Sequence, residues 1–221
     1  MATIDPTYPL SPSETIFLNG DQFAKTAVLG YRLLDSETKL SVQDFARAVV
    51  AGTLLAMEAV GELKLELEEY KRLIGKGRRI KLTPIGDQTS FPSPSLEAVF
   101  REICVYLEGS KKGANVKDLV WASLGKDDDH PWNKMVDSIS PHLANRGLLE
   151  STEEKKLKIF TVTHYQMLDE TRKLAQEGPV TELQALLSAC EADRPDVWKQ
   201  LKKEISQGIN ARDSSDDDDF D

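Results

Sequence analysis

Apolar positions recur at helical spacing along most of the chain and at a spacing of two in only a few places, which predicts a mainly α protein with short β-hairpins. Pro6, Pro9 and Pro12 predict an extended leader over residues 1–12. Ser13, followed by Ile16, Phe17 and Leu18, reads as a capped helix start. A second helix is expected over 22–34, and Asp35-Ser36-Glu37-Thr38 is a polar turn. Residues 45–60 carry almost nothing polar except Arg47 and Glu58, and a helix apolar around most of its circumference belongs at the centre of a core. Gly61 suits a left-handed cap. Glu62-Leu63-Lys64-Leu65-Glu66-Leu67 then alternates as a half-buried strand does.

Residues 70–82 are basic and punctuated by Gly75 and Gly77, and Pro84, Gly86, Pro92 and Pro94 prescribe an irregular loop. Helical spacing resumes over 96–107, 116–124 and 135–143, the last interrupted at Pro141. Leu148-Leu149, the polar stretch 150–156 and residues 157–162 read together as a hairpin. Two further helices are expected over 169–176 and 180–209. The resulting expectation is one domain over 13–210, with helices packed around one buried central hydrophobic helix, followed by a disordered acidic tail over 211–221.

A formal net charge of −9 argues against a generic nucleic-acid binder. Six of those charges, however, are aspartates in the last nine residues, so the body carries about −3 and a local basic face is compatible with the total. Cys104 and Cys190 fall in apolar helical patterns, where free thiols behave as small buried hydrophobes, although sequence alone leaves one disulfide open. The start Met1-Ala2-Thr3-Ile4-Asp5-Pro6 lacks the regions of a signal peptide, so a cytoplasmic location is expected. The longest uncharged apolar run, 48–57, is about half the roughly 20 residues that a membrane-spanning helix requires. Any membrane contact is therefore expected to be peripheral.

The strongest local chemical signal is the cluster Lys71, Arg72, Lys76, Arg78, Arg79 and Lys81. At an anionic leaflet each basic residue contributes roughly 1 kcal/mol, enough for reversible attachment and too little for firm anchoring. The competing reading is a solvated segment balancing Glu66, Glu68 and Glu69. Gly75-Lys76-Gly77 lacks the spacing of a phosphate-binding nucleotide loop. Asp127-Asp128-Asp129-His130 offers hard ligands, but such runs are usually hydrated, and neither metal nor cofactor is expected. With His142 and His164 isolated and no nucleophile motif, catalysis has no foothold in the sequence. A helix, helix, wing order over 116–124, 131–145 and the following hairpin resembles a winged helix, with Lys134 and Arg146 as the only cations of its recognition helix. A scaffold without lipid affinity is the other alternative.

Taken in order, Leu33-Leu34-Asp35-Ser36-Glu37-Thr38, Gly52-Thr53-Leu54-Leu55-Ala56-Met57-Glu58-Ala59-Val60-Gly61-Glu62-Leu63, Thr83-Pro84-Ile85-Gly86-Asp87 and Leu143-Ala144-Asn145-Arg146-Gly147-Leu148-Leu149 resemble the Golgi phosphoprotein 3 family over residues 14–190. The resemblance implies a peripheral membrane adaptor that binds phosphatidylinositol 4-phosphate on the cytosolic face of the Golgi in eukaryotes. It also implies a protein client, glycosyltransferase tails in eukaryotic members. The family's lipid pocket uses a tryptophan and an arginine near the start of the central helix, positions that fall at about Ser41 and Val50. Two further arginines fall at Asn133 and Val136. Arg47 lies one turn before Val50, and Trp132 and Lys134 flank Asn133. The family hairpin, which inserts into membranes and mediates self-association, corresponds to residues 151–160, where Lys155, Lys156 and Lys158 are interleaved with Leu157, Ile159 and Phe160. The expected site is thus a basic face of Arg47, the 71–81 cluster, Lys134 and this hairpin.

Overall fold

The computed structural model describes residues 4–34, 36–71, 75–86, 88–110, 112–156 and 160–213, with only the backbone described at 156 and 160. The chain opens with α1 (Pro12–Leu18), β1 (Thr26–Arg32), β2 (Lys39–Leu40) and α2 (Val42–Ala59). It continues through β3 (Leu63–Lys71), β4 (Lys76–Pro84), α3 (Leu96–Glu108), α4 (Val116–Leu124), α5 (Pro131–Asp137) and α6 (Ile139–Asn145). β5 (Leu149–Lys156), β6 (Phe160–Met167), α7 (Asp169–Glu177), α8 (Val180–Asp193) and α9 (Pro195–Asn210) complete it. Each sheet is a two-stranded antiparallel pair. The protein is therefore mainly α with short hairpins, as the periodicity predicts.

α2 is the central helix. Its N-cap Ser41 accepts a hydrogen bond from the Asp44 amide, and from Phe45 to Met57 all but Arg47 are buried. Gly52 lets α1 come close, since a Cβ there would stand 2.2 Å from Ile16 Cδ1. Gly61 has φ +80° and ends the helix. Both cysteines are free and buried, and burial pushes the Cys104 thiol up to about 12.

The leader is not a free arm, because Ile4 and Leu10 are buried in the core. The cap of α1 is Ser11, which forms a capping box with Glu14 and has Pro12 at the first helical position. The Ser13 hydroxyl instead donates to the Glu97 carboxylate at 2.9 Å. The helix expected over 22–34 is replaced by β1: Gly30 lies so close to β2 that a Cβ would stand 2.3 Å from the Leu40 carbonyl oxygen. Apolar residues 23, 24, 27, 28, 31 and 34 satisfy a helical period, but glycine weakens a helix by about 1 kcal/mol and the strand pairing prevails. The helix expected over 180–209 divides at Arg194, whose φ −131° and ψ 57° precede Pro195. Interruption of 135–143 falls at Ser138, with Pro141 tolerated in the first turn of α6. The polar residues 150–156 lie in the first strand of the expected hairpin.

Candidate functional site

The 71–81 cluster is where the structure departs furthest from the expected basic face. Residues 76–84 are a strand whose register sets Lys81 opposite Glu66, Arg79 opposite Glu68 and Arg78 opposite Glu69. Because alternate residues of a strand face opposite sides, Arg79 and Lys81 share one face while Lys76 and Arg78 share the other. Arg79 reaches Glu68 at 2.8 Å, Lys76 reaches Glu69 at 3.1 Å, and Arg78 lies between Glu69 at 3.7 Å and Asp196 at 3.8 Å. The hydrogen bond from Lys76 holds the Glu69 carboxyl below its ordinary value. Lys71 pairs with Lys76 at the end of the hairpin. Arg72 lies outside the described residues, as do Leu157, Lys158 and Ile159; Lys155 is exposed on β5, and the backbones of Lys156 and Phe160 pair across the second long hairpin.

Arg47 belongs to a different arrangement. Lys25, Arg47, Lys202 and Lys203 converge with Asp44 and Glu191 on a cleft of about 710 Å³ between α2, α8 and α9. Phe23, Ala48, Leu187 and Trp198 supply its apolar wall. Arg47 is held by a bond from Nε to Ser206 Oγ at 3.1 Å, by Asp44 at 3.5 Å, and by the ring of Trp132, whose centroid is 5.1 Å from the guanidinium carbon. Lys202 lies 4.9 Å over the Trp198 ring and 3.9 Å from Glu191. Among the described residues the ammonium groups of Lys25 and Lys203 have no ion-pair partner, and the buried indole N–H of Trp198 has no acceptor. Four cations thus face two carboxylates across an apolar floor, and two of the cations have no ion-pair partner among the described residues.

Lys203 also borders a second cleft of about 290 Å³, where Arg78 and Arg79 meet Lys112 and Lys117 against Asp118 and Glu204. Glu204 is buried, accepts the Ile80 amide at 2.9 Å and Gln200 Nε2 at 2.7 Å, and has its carboxyl raised by that burial. α9 therefore joins Arg47 to the arginines of β4 through cations that the sequence reading missed. The signal was available: Lys199, Lys202 and Lys203 stand at i, i+3 and i+4 on one helix.

The remaining expected positions are engaged elsewhere. Lys134 Nζ donates to the Lys126 carbonyl at 2.8 Å and pairs with Asp128 at 3.5 Å. Arg146 pairs with buried Glu14 at 2.6 Å. In the winged-helix alternative these are the two cations of the recognition helix, which the structure divides into α5 and α6. Val50 and Val136 are fully buried and so closed to a ligand, Ser41 serves as a helix cap, and Asn133 is exposed. Arg47 and Trp132 do meet.

Fold and cleft together define a class: a mainly α protein with two-stranded hairpins and a cationic, apolar-floored cleft beside its buried central helix. Comparison of the chain with protein-family models, with curated proteins and with solved structures finds no match.

Proposed function

We propose that the cleft between α2, α8 and α9 binds a phosphorylated headgroup and that the protein is a non-catalytic, peripheral membrane adaptor with a protein client. The observation that carries the reading is the convergence of Lys25, Arg47, Lys202 and Lys203, two of them without an ion-pair partner among the described residues, in a chain of net charge −9. Cations of this kind bind phosphate oxygens as point charges or, for arginine, through two parallel hydrogen bonds. The apolar wall accommodates the carbon ring or glycerol face of the ligand. The resemblance to the Golgi phosphoprotein 3 family favours a phosphoinositide as that ligand. No helix among the described residues is long and apolar enough to cross a membrane, which is compatible with docking from one side.

Calorimetric titration of the full chain with soluble inositol 1,4-bisphosphate tests the cleft apart from any bilayer. Saturable binding is expected, weakened about tenfold or more by Lys203→Gln or Lys25→Gln, since a hydrogen bond to a charged group contributes about 1.5–3 kcal/mol. No binding, or binding indifferent to both substitutions, overturns the reading.

A further inference from the structure

β1 is interrupted in an unusual way. Thr26 and Tyr31 both pair with Leu40, so residues 27–30 are extruded from the ladder as a lobe. Gly30 permits the chain to return against the Leu40 carbonyl. On the far side, Tyr31 anchors the lobe through its hydroxyl, which donates to Asp137 at 2.6 Å, and through its ring, 5.9 Å from that of Phe45. The tip carries Val28, 91% exposed, and Leu29, 87% exposed. Single exposed apolar residues are ordinary. Two adjacent ones, lifted clear of the body on an anchored lobe, cost hydration and make no contact that stabilises the fold.

The base of the lobe is cationic. Arg32 and Lys39 stand directly opposite each other across the strand pair, an arrangement of like charges that destabilises a sheet. Neither has an ion-pair partner among the described residues. Lys25, three residues before Val28, lines the cleft described above. An apolar tip over a cationic collar matches the boundary between acyl chains and anionic headgroups, where the tip escapes water while the collar neutralises charge. A protein partner of matching shape would satisfy the tip but gives no reason for the opposed Arg32 and Lys39.

We infer that the lobe of residues 27–30 is a membrane wedge: Val28 and Leu29 enter the surface of an anionic bilayer while Lys25, Arg32 and Lys39 contact its headgroups. This rests on the membrane-docking reading, to which it adds a second, headgroup-independent contact. The test uses the full chain with vesicles of phosphatidylcholine and phosphatidylserine that contain no phosphoinositide. The double variant Val28→Ser/Leu29→Ser should lower vesicle partition by about tenfold or more and leave affinity for soluble inositol 1,4-bisphosphate unchanged. A nitroxide on Leu29→Cys, in a background where both native thiols are buried, should report a depth below the phosphates. Partition that is unchanged in the double variant, or a label that stays in water, overturns the wedge. So does an effect confined to self-association measured by light scattering, which would assign the tip to a second copy. Soluble headgroup binding without vesicle binding leaves the cleft reading standing and the wedge overturned; vesicle binding that depends on Leu29 without headgroup binding gives the reverse.

Discussion

At the scale of single residues, the most consequential polar contacts are buried and distant in sequence. The Glu14 carboxylate is fully buried and accepts from Arg146 at 2.6 and 2.7 Å and from the Ser11 amide at 2.8 Å, and Arg146 also donates to the Pro9 carbonyl. Removing one partner of such a pair strands the other charge away from water, so Arg146→Ala should destabilise by about 3–5 kcal/mol in urea unfolding. A loss under 1 kcal/mol would show that Glu14 rehydrates. Glu97 differs, because no cation pairs with it among the described residues: it accepts from the Ser13 amide at 2.7 Å and the Ser13 hydroxyl at 2.9 Å, and burial raises its carboxyl. A raised value means that the folded state holds the proton more tightly than the unfolded chain does. Its contribution is therefore fully present below about pH 4.3 and is lost as pH rises through the folded-state value. Glu97→Gln keeps the shape without the charge, so the variant should gain on the wild type in urea midpoint between pH 4 and 7. A difference constant across that range would count against the charge as the cause. Neither contact was legible in the sequence. Arg146 stands out in its motif, but its partner lies 132 residues away, and nothing local distinguishes a buried glutamate from a solvated one.

At the scale of elements, α4 and α9 cross where Gly208 meets α4 backbone. A Cβ at Gly208 would stand 2.7 Å from the Lys117 carbonyl oxygen and 2.8 Å from Val120 Cβ. Gly208→Val gains little helix propensity and forces the helices apart, at a cost of about 1–3 kcal/mol. A fall of several degrees in Tm is expected, and an unchanged Tm would mean that the crossing can slide. The same helix shows what periodicity reveals and what it conceals. α2 was legible because an apolar run with one terminal glycine has a single sensible placement, and α4 because its apolar spacing is unbroken between Asn115 and Gly125. β1 was not, because its apolar residues satisfy a helical period and only contact with β2 decides between the two. The cationic cluster of 71–81 was legible as charge. Its neutralisation was not, since pairing Arg79 with Glu68 requires knowing that the segment is a strand and where its register falls.

At the scale of the whole molecule, function depends on which cations remain free after folding, and their number per segment is a poor guide to that. The β3–β4 hairpin has the densest run of positive charge, yet Lys76, Arg78 and Arg79 each stand within 4 Å of a glutamate. Exposed pairs of this kind contribute about 0–1 kcal/mol to stability, but they cancel the local field that would attract an anion. Lys25, Lys203, Arg32 and Lys39, scattered over the sequence, have no ion-pair partner among the described residues and lie beside the cleft or the lobe. A charge exchange separates these two populations. Swapping a pair in place, Glu68→Arg with Arg79→Glu, preserves the cross-strand attraction and the net charge. Affinity for soluble inositol 1,4-bisphosphate should stay within about twofold of wild type, whereas Lys203→Glu, which changes a free cation, should abolish measurable binding. Raising salt from 50 to 200 mM should weaken the wild type and the swapped pair alike, because the cations engaged by the ligand are the same in both. If the swapped pair alone loses binding, the ligand is held at β4 and the second cleft beside Lys203 is the site.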